Sequence, residues 1–232
     1  MGLSLSGIAS MATREILAEL TEAYERQAGV LARVQSVGGV DAANRVRAGE
    51  LLDIVVLASS AMAALEAEGF LVRGSRVDIA RSSMVVAVPA EASRPKIDDE
   101  EGVKAAIQQA RAIAYSTGPS GEHLQKLLRQ WGIAEAVSTK MRRAPPGTPV
   151  GALLARGDAD LGFQQLSELL HVPGVCILGP LPSSIQAITV FSAAVASASD
   201  HKADAHALVA YLASAPTAEV KRRHGMDPPA RL

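Results

Sequence analysis

Four short segments carry small polar residues at points where an apolar run gives way to a helical one. They are Ser10-Met11-Ala12-Thr13, Ser36-Val37-Gly38-Gly39, Tyr115-Ser116-Thr117-Gly118-Pro119-Ser120-Gly121 and Phe163-Gln164-Gln165. The last has Pro145-Pro146-Gly147-Thr148-Pro149-Val150 just upstream. A helix start carries unpaired backbone N–H groups and the positive end of the helix dipole. Hydroxyls and N–H groups there suit an oxyanion or a carboxylate without a paired cation. A single turn of this kind is ordinarily a cap. Four of them, on two different βα units, form a constellation for a small anion. The ligand-binding candidates are Ser10, Met11, Ser36, Gly38, Gly39, Ser116, Thr117, Ser120, Gly121, Val150 and Gln165.

Proton-transfer chemistry has thinner support. Glu122 and His123 fall in the first turn after the Ser116–Gly121 loop, and Tyr115 precedes it. These three are the candidate acid–base groups if the chain is an enzyme. Glu168 reads as a solvated helix residue. Arg45, Arg47 and Arg81 are available to pair with carboxylates, with Arg47 expected to meet Glu50 or solvent. The five histidines show no metal-ligand spacing, and no cofactor is expected. A Gly-x-Gly-x-x-Gly fingerprint, a phosphate-binding P-loop and a Gly-x-Ser-x-Gly elbow are all missing from the sequence.

The elements that must position these turns follow from hydrophobic periodicity. Strand Leu3–Ile8, a helix over 14–27, strand Leu31–Ser36, a helix over 41–48, strand Ile54–Leu57 and a helix to Ala67 make a βαβαβα run. That order marks a parallel sheet flanked by helices. Ser59 or Ser60 is the expected cap of the third helix. Ser83–Pro89 opens a second βα unit that runs to about residue 190. Thr189–Ala196 is an apolar return strand, and helices over 204–213 and after Pro216 close the chain. The fold class is α/β in two lobes, each a mainly parallel sheet. Lobe one takes residues 1–81 and 194–232, lobe two 82–193. A hinge is expected at the crossings near Arg81 and Ala193.

Composition narrows the function classes. The chain has 232 residues, 48% of them hydrophobic, which is enough for two lobes of roughly 100 residues each. Aromatics are 3%, too few for a binder that stacks sugars or single-stranded bases. The net charge is −1 and basic residues cluster only in pairs, so a nucleic-acid partner is not expected. No apolar run approaches the roughly 18 residues of a membrane span. The lone cysteine, Cys176, sits in an apolar run and reads as a small core residue. The expected location is the periplasm if a leader preceded the first strand, and the cytoplasm if Met1 is the native start.

The stretch from Ser36 to Ala58 has the order strand end, small-residue turn, helix, Gly49-x-x-x-Asp53, buried strand. It resembles the corresponding segment of bacterial solute-binding proteins, above all the molybdate-binding type. The resemblance covers most of the chain and implies a type II periplasmic-binding-protein fold with the ligand in a cleft between lobes. It implies anion contacts from Ser10, from Ser36 or the N–H groups of Gly38 and Gly39, and from Val150. Where the family carries a tyrosine, Gly162-Phe163-Gln164-Gln165 places Gln165. An aconitate isomerase branch of the same family moves an allylic proton within a tricarboxylate. The resemblance thus implies a small-anion binder that serves a membrane transporter permease. Its alternatives are an isomerase of an unsaturated polycarboxylate and a cytoplasmic ligand sensor.

Overall fold

The alternation of buried apolar runs with amphipathic helices gives an α/β chain, and the computed structural model describes residues 3–145 and 147–229 of it. Pro146, part of one expected site loop, lies outside the described residues. The chain divides into two compact units. One runs to Ser82 and resumes at Val190, and the other is Ser83–Thr189. The sequence reading puts these crossings near Arg81 and Ala193.

The first unit opens with β1 (Ser4–Ser10), whose end passes through one 3-10 turn into α1 (Arg14–Ala28). Ile16, Leu17, Leu20 and Tyr24 recur at helical spacing and are all buried. Gly29 ends the helix at φ +69°, a left-handed position that only glycine takes at no cost. Next come β2 (Leu31–Val37), α2 (Gly39–Arg47), β3 (Ile54–Ala58) and α3 (Ser59–Ala67). The N-cap of α3 is Ala58, one residue before the serines expected there. The Ser59 hydroxyl instead lies 2.9 Å from the Ser192 hydroxyl, which itself donates to the Asp78 carboxylate at 2.6 Å. The strand β4 (Val77–Pro89) carries the chain into the second unit.

That unit holds α4 (Glu100–Gln109), β5 (Ile113–Tyr115), α5 (Pro119–Gln130), α6 (Ala134–Val137) and β6 (Met141–Arg143). Then follow α7 (Val150–Ala155), β7 (Leu161–Gln165), α8 (Leu166–Leu169) and β8 (Val175–Pro180). β9 (Ile188–Val195) returns the chain to the first unit, which ends with α9 (Lys202–Ala213) and α10 (Ala218–Arg223).

Both sheets are mixed. In the first, β1 is parallel to β2 and β3, while β9 runs antiparallel to β3. In the second, β5 is parallel to β6 and β7, while β4 runs antiparallel to β7 and β8. The parallel trios are the βαβ part of each unit, and the long β4 and β9 add the antiparallel pairings. Cys176 is half-buried and packs against the second unit's core.

Each parallel trio is fixed at its start by one aspartate. Asp53, buried just before β3, accepts from the Ser6 N–H at 2.8 Å, the Ser6 hydroxyl at 3.1 Å and the Ser199 hydroxyl at 2.6 Å. Asp160, just before β7, accepts from the Ala112 N–H at 2.8 Å and from the Arg111 N–H and guanidinium. Burial pushes the Asp160 carboxyl up, but these donors outweigh it and hold it below its usual range.

The tail is locked onto α1. His224 and Arg223 both donate to the Glu19 carboxylate. Lys221 is fully buried, and its Nζ donates to the Leu212 carbonyl at 2.7 Å, closing the end of α9. Desolvation lowers its pKa from 10.5 to about 8. Below pH 8 both folded and unfolded chains carry the charge, so the burial cost is fully present. Between pH 8 and 10.5 the unfolded chain binds more protons, and stability rises with pH. Lys221→Met is therefore expected to melt above wild type at pH 7, with an advantage that shrinks toward pH 10. A pH-independent gap between their melting temperatures would show that Lys221 is not desolvated.

Candidate functional site

In the first unit, β1 and β2 pair in register from Ser4↔Leu31 to Ser10↔Val37. Both strand-to-helix turns therefore emerge at the same edge of the sheet, side by side. Ser10 is buried, and its Oγ has no hydrogen-bond partner among the described residues. Its carbonyl accepts from Thr13 Oγ1 at 3.0 Å, so the backbone is satisfied while the side chain is not. Met11, half-buried, begins the 3-10 turn. Gly38 is the N-cap of α2 and Gly39 its first residue. A Cβ added at Gly39 would lie 4.0 Å from Ser10 Cβ, so the first turn of α2 packs against the serine. The N–H groups of Gly39, Val40 and Asp41 precede the first intrahelical bond, Ala42 N–H to Gly38 carbonyl. Ser36 is half-buried, one residue back from Val37 and opposite Ala9. Asp41 belongs to the first turn of α2 and lies close to Gly38. Its carboxylate complements the helix dipole there.

In the second unit, β5 and β7 are parallel, with Tyr115 opposite Phe163, so the Ser116–Gly121 loop and Gln165 leave the sheet at one edge. That loop is largely satisfied within itself. The Ser116 and Ser120 hydroxyls lie 3.1 Å apart, and the Gly118 N–H donates to Ser116 Oγ at 3.3 Å. The Gly121 and Glu122 N–H groups both donate to the Gly118 carbonyl. Thr117 is exposed. Gly121 has a steric reason to be glycine: an added Cβ would lie 1.7 Å from the Ser116 carbonyl oxygen.

The Val150 N–H, at the start of α7, donates to Gln164 Oε1 at 2.8 Å. Gln164 is fully buried, and its amide also donates to Glu168 at 2.8 Å. Glu168, expected to be a solvated residue, is thus half-buried in this relay. Sequence reading passed over Gln164, since nothing local marks a glutamine that bonds across 14 residues. Its neighbour Gln165 is 1% exposed. It donates through Nε2 to Thr189 Oγ1 at 2.7 Å, and its Oε1 has no partner among the described residues. With the amide turned over, Thr189 donates and the NH2 is the unfilled end. Either way, one pole of a buried amide is without a partner among the described residues.

Residues 5–227 match the family described as bacterial extracellular solute-binding protein. The chain belongs to that family. It is 38% identical to an aconitate isomerase from a Pseudomonas species, over 90% of this chain and 82% of that protein. Its fold is similar to that of the periplasmic molybdate-binding protein of Azotobacter vinelandii. That match has a TM-score of 0.81 at 20% identity and covers 97% of this chain and all of the other. A periplasmic thiamin-binding protein gives 0.80 at 15% identity, over 100% and 85% of the two chains. These structural likenesses establish a type II periplasmic-binding-protein fold.

For this solute-binding protein, the arginines lead away from the turns. Arg45 pairs with Glu50 and donates to Gln35. Arg47 pairs with Glu68, not with Glu50, because α2 lies against α3. Arg81 donates to the Pro228 carbonyl at 3.2 Å. Of the acid–base candidates, Glu122 is exposed and Tyr115 is half-buried against the second unit's core. His123 is half-buried, with Nε2 2.7 Å from the Ile185 carbonyl. A carbonyl only accepts, so Nε2 carries the proton and Nδ1 of the neutral ring carries the lone pair. Among the described residues, no cluster of three metal-ligating side chains occurs.

The Gly121 contact gives a direct test of the second-unit turn. Gly121→Ala forces a methyl into a backbone oxygen and is expected to cost about 2–3 kcal/mol. Urea unfolding measures this, and a variant as stable as wild type would show that the turn does not pack as described.

Proposed function

We propose that this chain binds a small anion at the strand-end turns of its first unit, as the solute receptor of a membrane transporter. The observation that carries the reading is the buried, unpartnered hydroxyl of Ser10 with the glycine-rich start of α2 packed against it. A free hydroxyl beside free helix N–H groups is an anion-holding corner. Within the second unit, Gln165 separately carries an unfilled polar group at its own strand end. A neutral amide at that position suits the multiple oxygens of a di- or tricarboxylate, and the identity to an aconitate isomerase favours the same class.

That relative also favours a second reading, isomerisation of the bound polycarboxylate. The reaction removes a proton from the carbon next to the double bond and returns one at the far end of the allylic system. His123 suits this as an oriented ring: Nε2–H is held by the Ile185 carbonyl, which makes Nδ1 the ring nitrogen that would take the proton. Glu122 and Tyr115 are the other candidates.

Two measurements test these readings. Isothermal titration with cis-aconitate, trans-aconitate, citrate, molybdate and tungstate should show binding of at least one carboxylate. Ser10→Ala with Ser36→Ala should weaken that binding tenfold or more, about 1.4 kcal/mol. Binding of none of these anions, or full affinity in the double variant, would refute the assignment. Incubation of the protein with either aconitate isomer in D2O separates receptor from enzyme. An enzyme gives the other isomer with deuterium incorporated, and His123→Ala slows this about a hundredfold or more. A receptor returns the ligand unchanged.

A further inference from the structure

β6 is the outer strand of the second unit's parallel trio, next to β5. Beside it opens a cavity of about 390 Å³ whose walls include Met141, Arg142, Arg143, Leu153, Arg156 and Asp158, all within that unit. Its volume is that of a small-molecule site, for which roughly 300–1,000 Å³ is usual. Three arginines against one aspartate give the walls a formal charge of +2. The turns of the anion reading are elsewhere: among the described residues, neither the Ser116–Gly121 loop nor Val150 nor Gln165 lines this cavity. Arg143 ends β6 opposite Tyr115, and Arg156 caps the far end of α7. Arg142 Nη1 donates to the Thr139 carbonyl at 2.8 Å, and Arg156 Nε to the Ala152 carbonyl at 3.1 Å. These bonds orient two of the guanidinium groups and leave further N–H donors on each. Other arginines of the chain are spent on carboxylates, as Arg45 on Glu50, Arg47 on Glu68, Arg76 on Glu66 and Arg111 on Asp160. Among the described residues, no ion pair reaches Arg142, Arg143 or Arg156.

We propose that this cavity is a second anion site, cationic where the first-unit corner is neutral, for a small molecule that carries two adjacent oxyanion groups. A diphosphate and a neighbouring pair of carboxylates share that chemistry. The inference does not rest on the anion reading of Ser10, because it uses none of the same residues. A guanidinium presents a planar fork of donors that matches the oxygens of a phosphate or carboxylate two at a time. Three forks on one cavity wall call for more than one such group. Like charges gathered in a cleft also focus its field and concentrate counter-ions there. Leu153 is buried and Met141 half-buried, so the same cavity offers an apolar surface to the body of the ligand. Asp158 is the one opposing charge and weakens the field that an anion meets.

Isothermal titration with pyrophosphate, ADP and citrate tests the site on three proteins: wild type, Arg143→Ala with Arg156→Ala, and Ser10→Ala with Ser36→Ala. At least one probe should bind wild type, and more weakly as salt is raised. Its affinity should fall tenfold or more in the arginine variant, the scale of lost hydrogen bonds to a charged group, and stay at the wild-type value in the serine variant. Pyrophosphate or ADP behaving so marks a diphosphate site, and citrate alone behaving so marks a carboxylate site. Arg143 and Arg156 are exposed, so the arginine variant should melt with wild type. Asp158→Asn keeps all three cations and should tighten binding. Binding of none of the probes, full affinity in the arginine variant, or looser binding in Asp158→Asn would overturn the assignment. So would a loss confined to the serine variant, which would place the probe at the first-unit corner instead. Failure of the first-unit reading shows in the serine variant alone and leaves this site standing.

Discussion

A carboxylate set one residue before a strand fixes each unit of this protein. Asp53 and β1 exchange hydrogen bonds in both directions: the Asp53 N–H donates to the Ser6 carbonyl, and the Ser6 N–H donates to the Asp53 carboxylate. Asp160 repeats the exchange with Ala112, N–H to carbonyl at 3.1 Å and N–H to carboxylate at 2.8 Å. Hydrogen bonds to an ionised, sheltered acceptor are among the stronger kinds in proteins. Because a parallel pair slipped by one residue would turn every side chain to the opposite face, such a fixed point sets the whole register. The opposite ends of the strands, where the turns lie, are then placed to within a fraction of a residue. The polar turns can be lean because the register is secured at the other edge.

That division of labour explains where stability is given up. The Asp53 and Asp160 edges are saturated with hydrogen bonds. The opposite edges hold Ser10 and Gln165, buried polar groups with an unfilled end. An orphaned polar atom costs free energy in the free protein, on the order of 1–3 kcal/mol. A fold selected for stability alone would remove it by a hydroxyl-to-methyl change. Its retention at the same edge as the helix starts is what the proposed anion site would require. The Ser116–Gly121 loop contrasts with this. Its hydroxyls bond to each other, and its helix-start N–H groups fold onto Gly118. It therefore reads more as a rigid turn than as a set of free donors.

Much of this was legible in the sequence and some was not. The βαβ order, the helix faces and the strand-end turns follow from apolar spacing and from glycine and serine placement, which are local signals. Gly49-x-x-x-Asp53 stood out because the helix stop and the apolar run bracket it. The equivalent Asp160 sits among other acids and glycines and was not picked out. Long-range pairings were invisible. Val150 looked like a free helix start until Gln164 reached its N–H, and Arg47 looked set for Glu50 until α3 brought Glu68 beside it. The start of β4 was hidden for another reason. The apolar run suggested a strand beginning at Ser83, whereas β4 starts at Val77. The polar residues Asp78, Arg81 and Ser82 hide its first half from a hydrophobicity reading.

The choice between molybdate and a carboxylate comes down to how the donors are distributed. A tetrahedral oxyanion concentrates its charge on four oxygens around one atom, so it is best met by donors converging on a point. In the second unit, one N–H suited to that role, Val150, is already committed to Gln164. What remains there is a side-chain amide, longer and turned by its own rotamers, with Thr189 behind it. An amide of that kind can meet a carboxylate edge-on, through one polar atom, and leave room for the carbon skeleton beyond. Arg45 and Arg47, on α2, are paired with Glu50 and Glu68, so the proposed first-unit site draws on neutral dipoles. An anion held by neutral dipoles keeps its own charge available. In an isomerase, that charge would sit next to the carbon that loses its proton. The same neutrality that makes a selective receptor would then leave the chemistry to a base held on a separate element, and His123, fixed through its Nε2 to Ile185, is placed on one.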